Sequence, residues 1–68
     1  MKDSAKKLGN NIRWVRLSRK MKQSDLCRKL NVDRAYISNI ESGKMNPTLS
    51  TIERIAKALN VSLEELMR

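Results

Sequence analysis

A chain of 68 residues has room for one small core, and a core of that size needs well-formed elements or self-association to be stable. Hydrophobic residues at 40%, with two glycines, one proline and only Trp14 and Tyr36 as aromatics, favour a folded all-α domain over a sheet, which wants β-branched and aromatic side chains. With no histidine and a single cysteine, Cys27, no ordinary zinc site, internal disulfide or His-based catalytic pair can be assembled. An enzyme and a cofactor are therefore not expected.

The net charge of +8 is unevenly placed. Residues 1–44 carry 12 Lys/Arg against 4 Asp/Glu, whereas residues 45–68 carry 3 of each. Charge confined to the first two-thirds of a chain is the pattern of a surface that meets a polyanion. No apolar run exceeds the three residues Ala35-Tyr36-Ile37, which leaves no membrane span or signal-peptide core. The lone cysteine fits a reducing compartment, so a cytoplasmic protein is expected.

The spacing of apolar residues predicts five helices within one domain over 1–68. The first, from about Ser4 to Lys20, aligns Ala5, Leu8, Ile12 and Val15 at about 100° per residue. Arg16 falls on the same apolar face and needs a partner there; Trp14 and Leu17 lie opposite. The second covers about Gln23 to Leu30 with Leu26, Cys27 and Leu30 inward, and Asn31 follows in a position suited to a left-handed turn. Val32 dips back to the core. The third starts after Asp33, read as an N-cap, runs through Ser42 and stops at Gly43. Tyr36, Ile37 and Ile40 cluster on one side of it; Arg34, Ala35, Ser38, Asn39 and Ser42 spread over the other. After a loop from Lys44 to Pro47, Thr48 caps a fourth helix carrying Leu49, Ile52, Ile55, Ala56 and Leu59. Ser62 and Glu65 form a capping box for the last, with Val61 and Leu66 as its staple.

The second and third helices, joined by about three residues, have helix-turn-helix spacing over about 23–42, which frees the outer face of the third. That face is polar and uncharged apart from Arg34. It can enter a major groove without repelling phosphates and offers donors and acceptors to base edges.

The stretch Gln23-Ser24-Asp25-Leu26-Cys27, then Leu30-Asn31-Val32, then Tyr36-Ile37-Ser38-Asn39-Ile40-Glu41-Ser42-Gly43, resembles the Cro/C1-type regulators that include the phage repressors. Pro47-Thr48-Leu49, Ile55 to Val61, and Ile12-Arg13 with Val15-Arg16 extend the resemblance over about residues 8–66. It implies a compact five-helix bundle and a homodimer that binds a palindromic double-stranded DNA operator. It also implies residue roles. Arg34, Ala35, Ser38 and Asn39 take base-reading positions. Gln23 takes the phosphate clamp at the start of the second helix, with Lys22 adding charge beside it. Ser42, Lys44 and Asn46 take the backbone-gripping positions of the following loop. Arg16 and Glu41 match a family ion pair, which accounts for a charge on an apolar face. Lys20 and Lys22 depart from the glycine and the Ser or Thr usual at their positions.

Some readings compete. Asp33 is a cap rather than a cytosine reader, Cys27 a small core residue rather than a redox switch, and Tyr36 serves packing or a phosphate contact. Trp14 and Leu17 are scattered surface apolars or a partner patch. Leu63 and Met67, left over once core positions are filled, point to self-association through the fourth and fifth helices. Without an effector domain, regulation would follow protein concentration. An antitoxin-like interaction protein is the alternative, and Asp33-Arg34 followed by Tyr36-Ile37-Ser38 resembles the restriction–modification controller subgroup.

Overall fold

The computed structural model describes the backbone of residues 2–68 and the side chains of residues 4–68. Five helices follow one another, α1 (Lys2–Ser18), α2 (Gln23–Leu30), α3 (Arg34–Glu41), α4 (Leu49–Leu59) and α5 (Leu63–Met67), with no strand among the described residues. One core joins them: Leu8 and Ile12 from α1, Leu26 and Leu30 from α2, Ile37 and Ile40 from α3, Ile52, Ile55 and Leu59 from α4, and Leu66 from α5. Cys27 is buried among them, and burial pushes its thiol pKa up, which suits a packing residue. Among the described residues, no helix is long and apolar enough to cross a membrane.

The first four helices end in the same way. After α1, Met21 N–H bonds the Arg16 carbonyl at 3.1 Å and Lys20 N–H that of Leu17 at 2.9 Å. After α2, Val32 N–H bonds Cys27, and after α4, Val61 and Asn60 N–H bond Ala56 and Lys57. Each is a Schellman-type stop, with the left-handed residue at φ 58° in Lys20, Asn31 and Asn60 and at φ 80° in Gly43. The residue after the stop is apolar in three cases, and Met21, Val32 and Val61 all pack against the core. After α3 it is Lys44, whose N–H bonds the Asn39 carbonyl at 2.9 Å and whose side chain is exposed. The device that returns the chain to the core elsewhere presents a cation here.

Several boundaries differ from the sequence reading. Helix α1 runs from Lys2 to Ser18 rather than from Ser4 to Lys20; its early end follows from Lys20, whose left-handed conformation closes it. Helix α3 stops at Glu41, with Ser42 as its C-cap. Asp33 has the extended backbone of an N-cap, yet its side chain makes no capping bond; the cap is one of position only. At α5 the Ser62 hydroxyl accepts from Glu65 N–H at 3.1 Å, one half of the expected box. Leu63 is half-buried against the core rather than left over, while Met67 is 53% exposed.

Gly9 sets the approach of α1 to α3, which periodicity does not reveal. A Cβ at Gly9 would stand 2.6 Å from the Glu41 carbonyl oxygen and closer still to that of Ile40, both backbone atoms with little freedom to move. Gly9→Ala should therefore destabilise by about 1–3 kcal/mol through overpacking, despite the better helix propensity of alanine. Urea unfolding of the two proteins measures it; equal midpoints would show that the helices separate without cost.

Candidate nucleic-acid interface

Arg16 organises the junction of α1, α2 and α3. Its Nε and Nη2 donate to Glu41 Oε2 and Oε1 at 2.7 and 3.0 Å, a two-pronged pair whose side chains are 7% and 4% exposed. Its Nη1 donates to the Met21 carbonyl at 2.7 Å, holding the α1–α2 turn. Gln23 Nε2 donates to the same Glu41 Oε1 at 3.1 Å. No buried side-chain nitrogen or oxygen among the described residues lacks a partner, which is the condition under which charges tolerate burial.

This junction orients α3. Ile37, Ile40 and Glu41 face inward, so Arg34, Ala35 and Ser38 are exposed and Asn39 half-buried on the opposite arc. These are the four residues assigned to base reading, and they form one continuous outward face. An α-helix with its side chains is about 10–12 Å across, which a major groove about 12 Å wide admits.

The residues assigned to phosphates lie at the start of α2, on α3 and its C-cap, and on the following loop, where Asn46 lines a cleft with Ser4, Lys7 and Met67. Lys22 occupies the N-cap of α2 and is exposed. Its ammonium has no acceptor to offer, so the cap is one-sided: the Asp25 carboxylate accepts from Lys22 N–H at 2.8 Å. That bond, opposed by some desolvation and helped by Arg28, lowers the Asp25 pKa. A depressed carboxyl contributes its stabilisation at neutral pH and loses it as pH falls through the folded value. Gln23 spends one amide hydrogen on Glu41 and keeps the second, while the first N–H groups of α2 have no helical acceptor. Ser42 Oγ donates to the Asn39 carbonyl at 3.2 Å, so its hydroxyl must rotate before it can donate elsewhere. Tyr36 is half-buried against the core, which gives it a packing role in addition to any contact through its hydroxyl. Lys44 and Asn46 are exposed on the loop, where Lys44 and Met45 N–H share the Asn39 carbonyl with Ser42. One carbonyl thus ties the loop to α3. No group of three or more His, Cys, Asp or Glu that could hold a metal ion occurs among the described residues.

Sequence reasoning assigned no role to Arg13, which is exposed and lines a cleft with Arg16, Gln23, Ser38, Glu41 and Ser42. Its signal is weak, one more basic residue on a basic helix, and only the crossing of α1 over α3 brings it beside the outward face.

Comparison with known proteins places this geometry in context. A helix-turn-helix family model matches residues 12–66. The immunity repressor protein of Bacillus phage phi105 is 37% identical over 60 residues, covering 88% of this chain and 42% of the repressor. The chain thus spans less than half of that relative's length. Control protein C.BamHI of Bacillus amyloliquefaciens is 42% identical over 60 residues, covering 87% of this chain and 74% of that protein. Among solved structures, the restriction-modification controller C.Esp1396I, a tetramer in complex with its natural 35 base-pair operator, superposes with a TM-score of 0.79 at 36% identity, covering 94% of this chain and 95% of that one.

The Arg16–Glu41 pair yields a stability test. Arg16→Met strands the buried Glu41 carboxylate and should cost about 3–5 kcal/mol. Adding Glu41→Leu should recover part of that loss. Additive changes across the double-mutant cycle would mean that the two residues are not coupled.

Proposed function

The chain belongs to the helix-turn-helix family of Cro/C1 type, and from that premise we propose that it is a sequence-specific, double-stranded DNA-binding transcriptional regulator. The observation that carries this reading is the outward face of α3: polar, uncharged apart from Arg34, exposed on a helix slim enough for a major groove, and followed at its end by the exposed Lys44. A face of that kind reads base edges while the cations beside it hold the backbone. Arg34, Ala35, Ser38 and Asn39 are the proposed base readers; Lys22, Gln23, Tyr36, Ser42, Lys44 and Asn46 are the proposed phosphate contacts.

Two findings support a finer reading as a restriction–modification controller. The control protein C.BamHI is among the relatives, and C.Esp1396I shares the fold over nearly the whole chain while bound to its operator. On this reading the protein binds as a two-fold pair, and occupancy rises as the pair accumulates. Exposed Leu49 and Met67 on α4 and α5 supply apolar surface for pairing.

Selection of bound sequences from a random DNA library tests the proposal. A palindromic site with half-site centres about 34–36 Å apart, one turn of duplex, is expected; recovery of single asymmetric half-sites by a monomer would overturn the paired reading.

Reading and gripping can be separated with two residues of equal charge. The Arg34 guanidinium can donate to both acceptors of a guanine edge, whereas Lys44 lies beyond the end of α3. Arg34→Ala should cost about 1–3 kcal/mol per half-site and relax preference at one base pair. Lys44→Ala should weaken operator and scrambled DNA alike and reduce the salt slope by about one unit per lost contact. Binding of both variants to both DNAs across a salt series measures this. If Arg34→Ala lowers the two affinities equally, Arg34 grips phosphate and reading falls to Ala35, Ser38 and Asn39.

A further inference from the structure

We propose that α1 contributes a second phosphate-binding edge, Lys6 and Arg13, that extends the backbone grip beyond the helix-turn-helix and its following loop. The inference rests on the DNA-binding reading above and adds two contacts that neither the helix-turn-helix spacing nor the loop supplies.

The placement comes from how α1 crosses α3. Lys6 and Arg13 are seven residues apart, so they lie on one edge of α1, separated by about 10 Å along its axis. Gly9, on the neighbouring strip of the helix, is in backbone contact range of Ile40 and Glu41. That edge therefore runs beside the C-terminal end of α3. At its near end the Lys6 stem lies across Gly43: a Cβ there would stand 2.7 Å from Lys6 Cγ and 3.0 Å from Lys6 Cα. Lys6 is thus held next to the loop that carries Lys44. At its far end Arg13 lines the cleft with Gln23, Ser38 and Ser42, between the start of α2 and the outward face of α3.

Both side chains are exposed, and neither makes a hydrogen bond or ion pair among the described residues. Other cations are committed to the fold: Arg16 to Glu41 and Met21, Arg54 to the Leu30 carbonyl, Arg28 to Asp25 and Arg19 to the Asn60 carbonyl. In the cleft itself the Glu41 carboxylate is already met by Arg16 and Gln23, so Arg13 has no buried charge to neutralise. Two uncommitted cations beside the proposed reading face match the polyanion that the asymmetric charge of the chain implies. Placed outside the end of α3, they meet the sugar–phosphate backbone rather than base edges.

Salt dependence of binding by the whole chain reads the contacts directly. Lys6→Ala and Arg13→Ala should each lower the slope of log K against log salt by about 0.9 per half-site, and together by about 1.8 per half-site. The ratio of operator to scrambled affinity and the melting temperature should be unchanged. Arg13→Lys should keep the slope, and Lys57→Ala, in the cleft between α2 and α4, should leave it at the wild-type value. Wild-type slopes in Lys6→Ala and Arg13→Ala, with wild-type binding intact, would overturn the α1 edge alone. An equal fall in Lys57→Ala would also overturn it, by showing that net charge rather than position acts. A change of preferred base in Arg13→Ala would make that residue a reader instead. Absence of DNA binding by the wild-type chain would overturn the functional reading and this inference with it.

Discussion

The Arg16–Glu41 pair is the constraint on which the rest depends. It joins the last turn of α1 to the last residue of α3, and through Met21 and Gln23 it also reaches the turn before α2 and the first residue of α2. Three helices therefore share one polar node inside an otherwise apolar core. An apolar replacement could fill the same space, yet it would fix neither the distance nor the rotation of α3 as two parallel hydrogen bonds do. Rotation is what the function requires. A small turn of α3 about its axis would carry Ser38 and Asn39 away from the outward arc and draw Arg34 toward the junction.

Around that node the chain uses one kind of stop repeatedly. A left-handed residue ends each of the first four helices, and the next residue either returns to the core or leaves it. Lysine at φ 58° in position 20 is the costliest of the four, because a Cβ crowds the carbonyl in that region and neither Asn-type local bonding nor glycine freedom offsets it. The core contact of Met21 and the Arg16 hydrogen bond to its carbonyl oppose that cost. The stop after α3 differs in outcome because Lys44 is polar. Its backbone is fixed by Asn39 while its side chain stays in solvent, so a cation sits at a defined place on a loop of otherwise irregular structure.

Charge is partitioned by the same architecture. Among the described residues the interior holds one compensated pair. Several surface cations close helix ends on carbonyl oxygens, where the helix dipole favours them; Arg54 on Leu30 is the clearest instance. Of the cations that make no such bond, Arg34 and Lys44 lie on α3 and the loop after it, and Arg13 lines the cleft beside Ser38. The asymmetry of charge along the chain becomes an asymmetry in space because α1, α2 and α3 meet there, while residues 45–68, which carry no net charge, supply α4 and α5.

The sequence by itself determined the helices, their inward faces and the outward residues of α3, because these follow from local periodicity: Ile37 and Ile40 cannot point inward without turning Ser38 and Ala35 out. It also indicated that Arg16 needs a partner, since a charge on an apolar stripe has no other resolution, and the family resemblance supplied Glu41. Local pattern did not reveal that Gly9 is a packing requirement, that Asp33 caps by position alone, that the Ser42 hydroxyl is engaged by Asn39, or that Leu63 is drawn into the core. Each depends on atoms brought together from elsewhere in the chain or on a side-chain rotamer set by them. Arg13 and Lys6 belong with these: on a basic helix all cations look alike, and only the crossing of α1 over the end of α3, at a distance that Gly9 permits, separates the two beside the outward face of α3 from the rest.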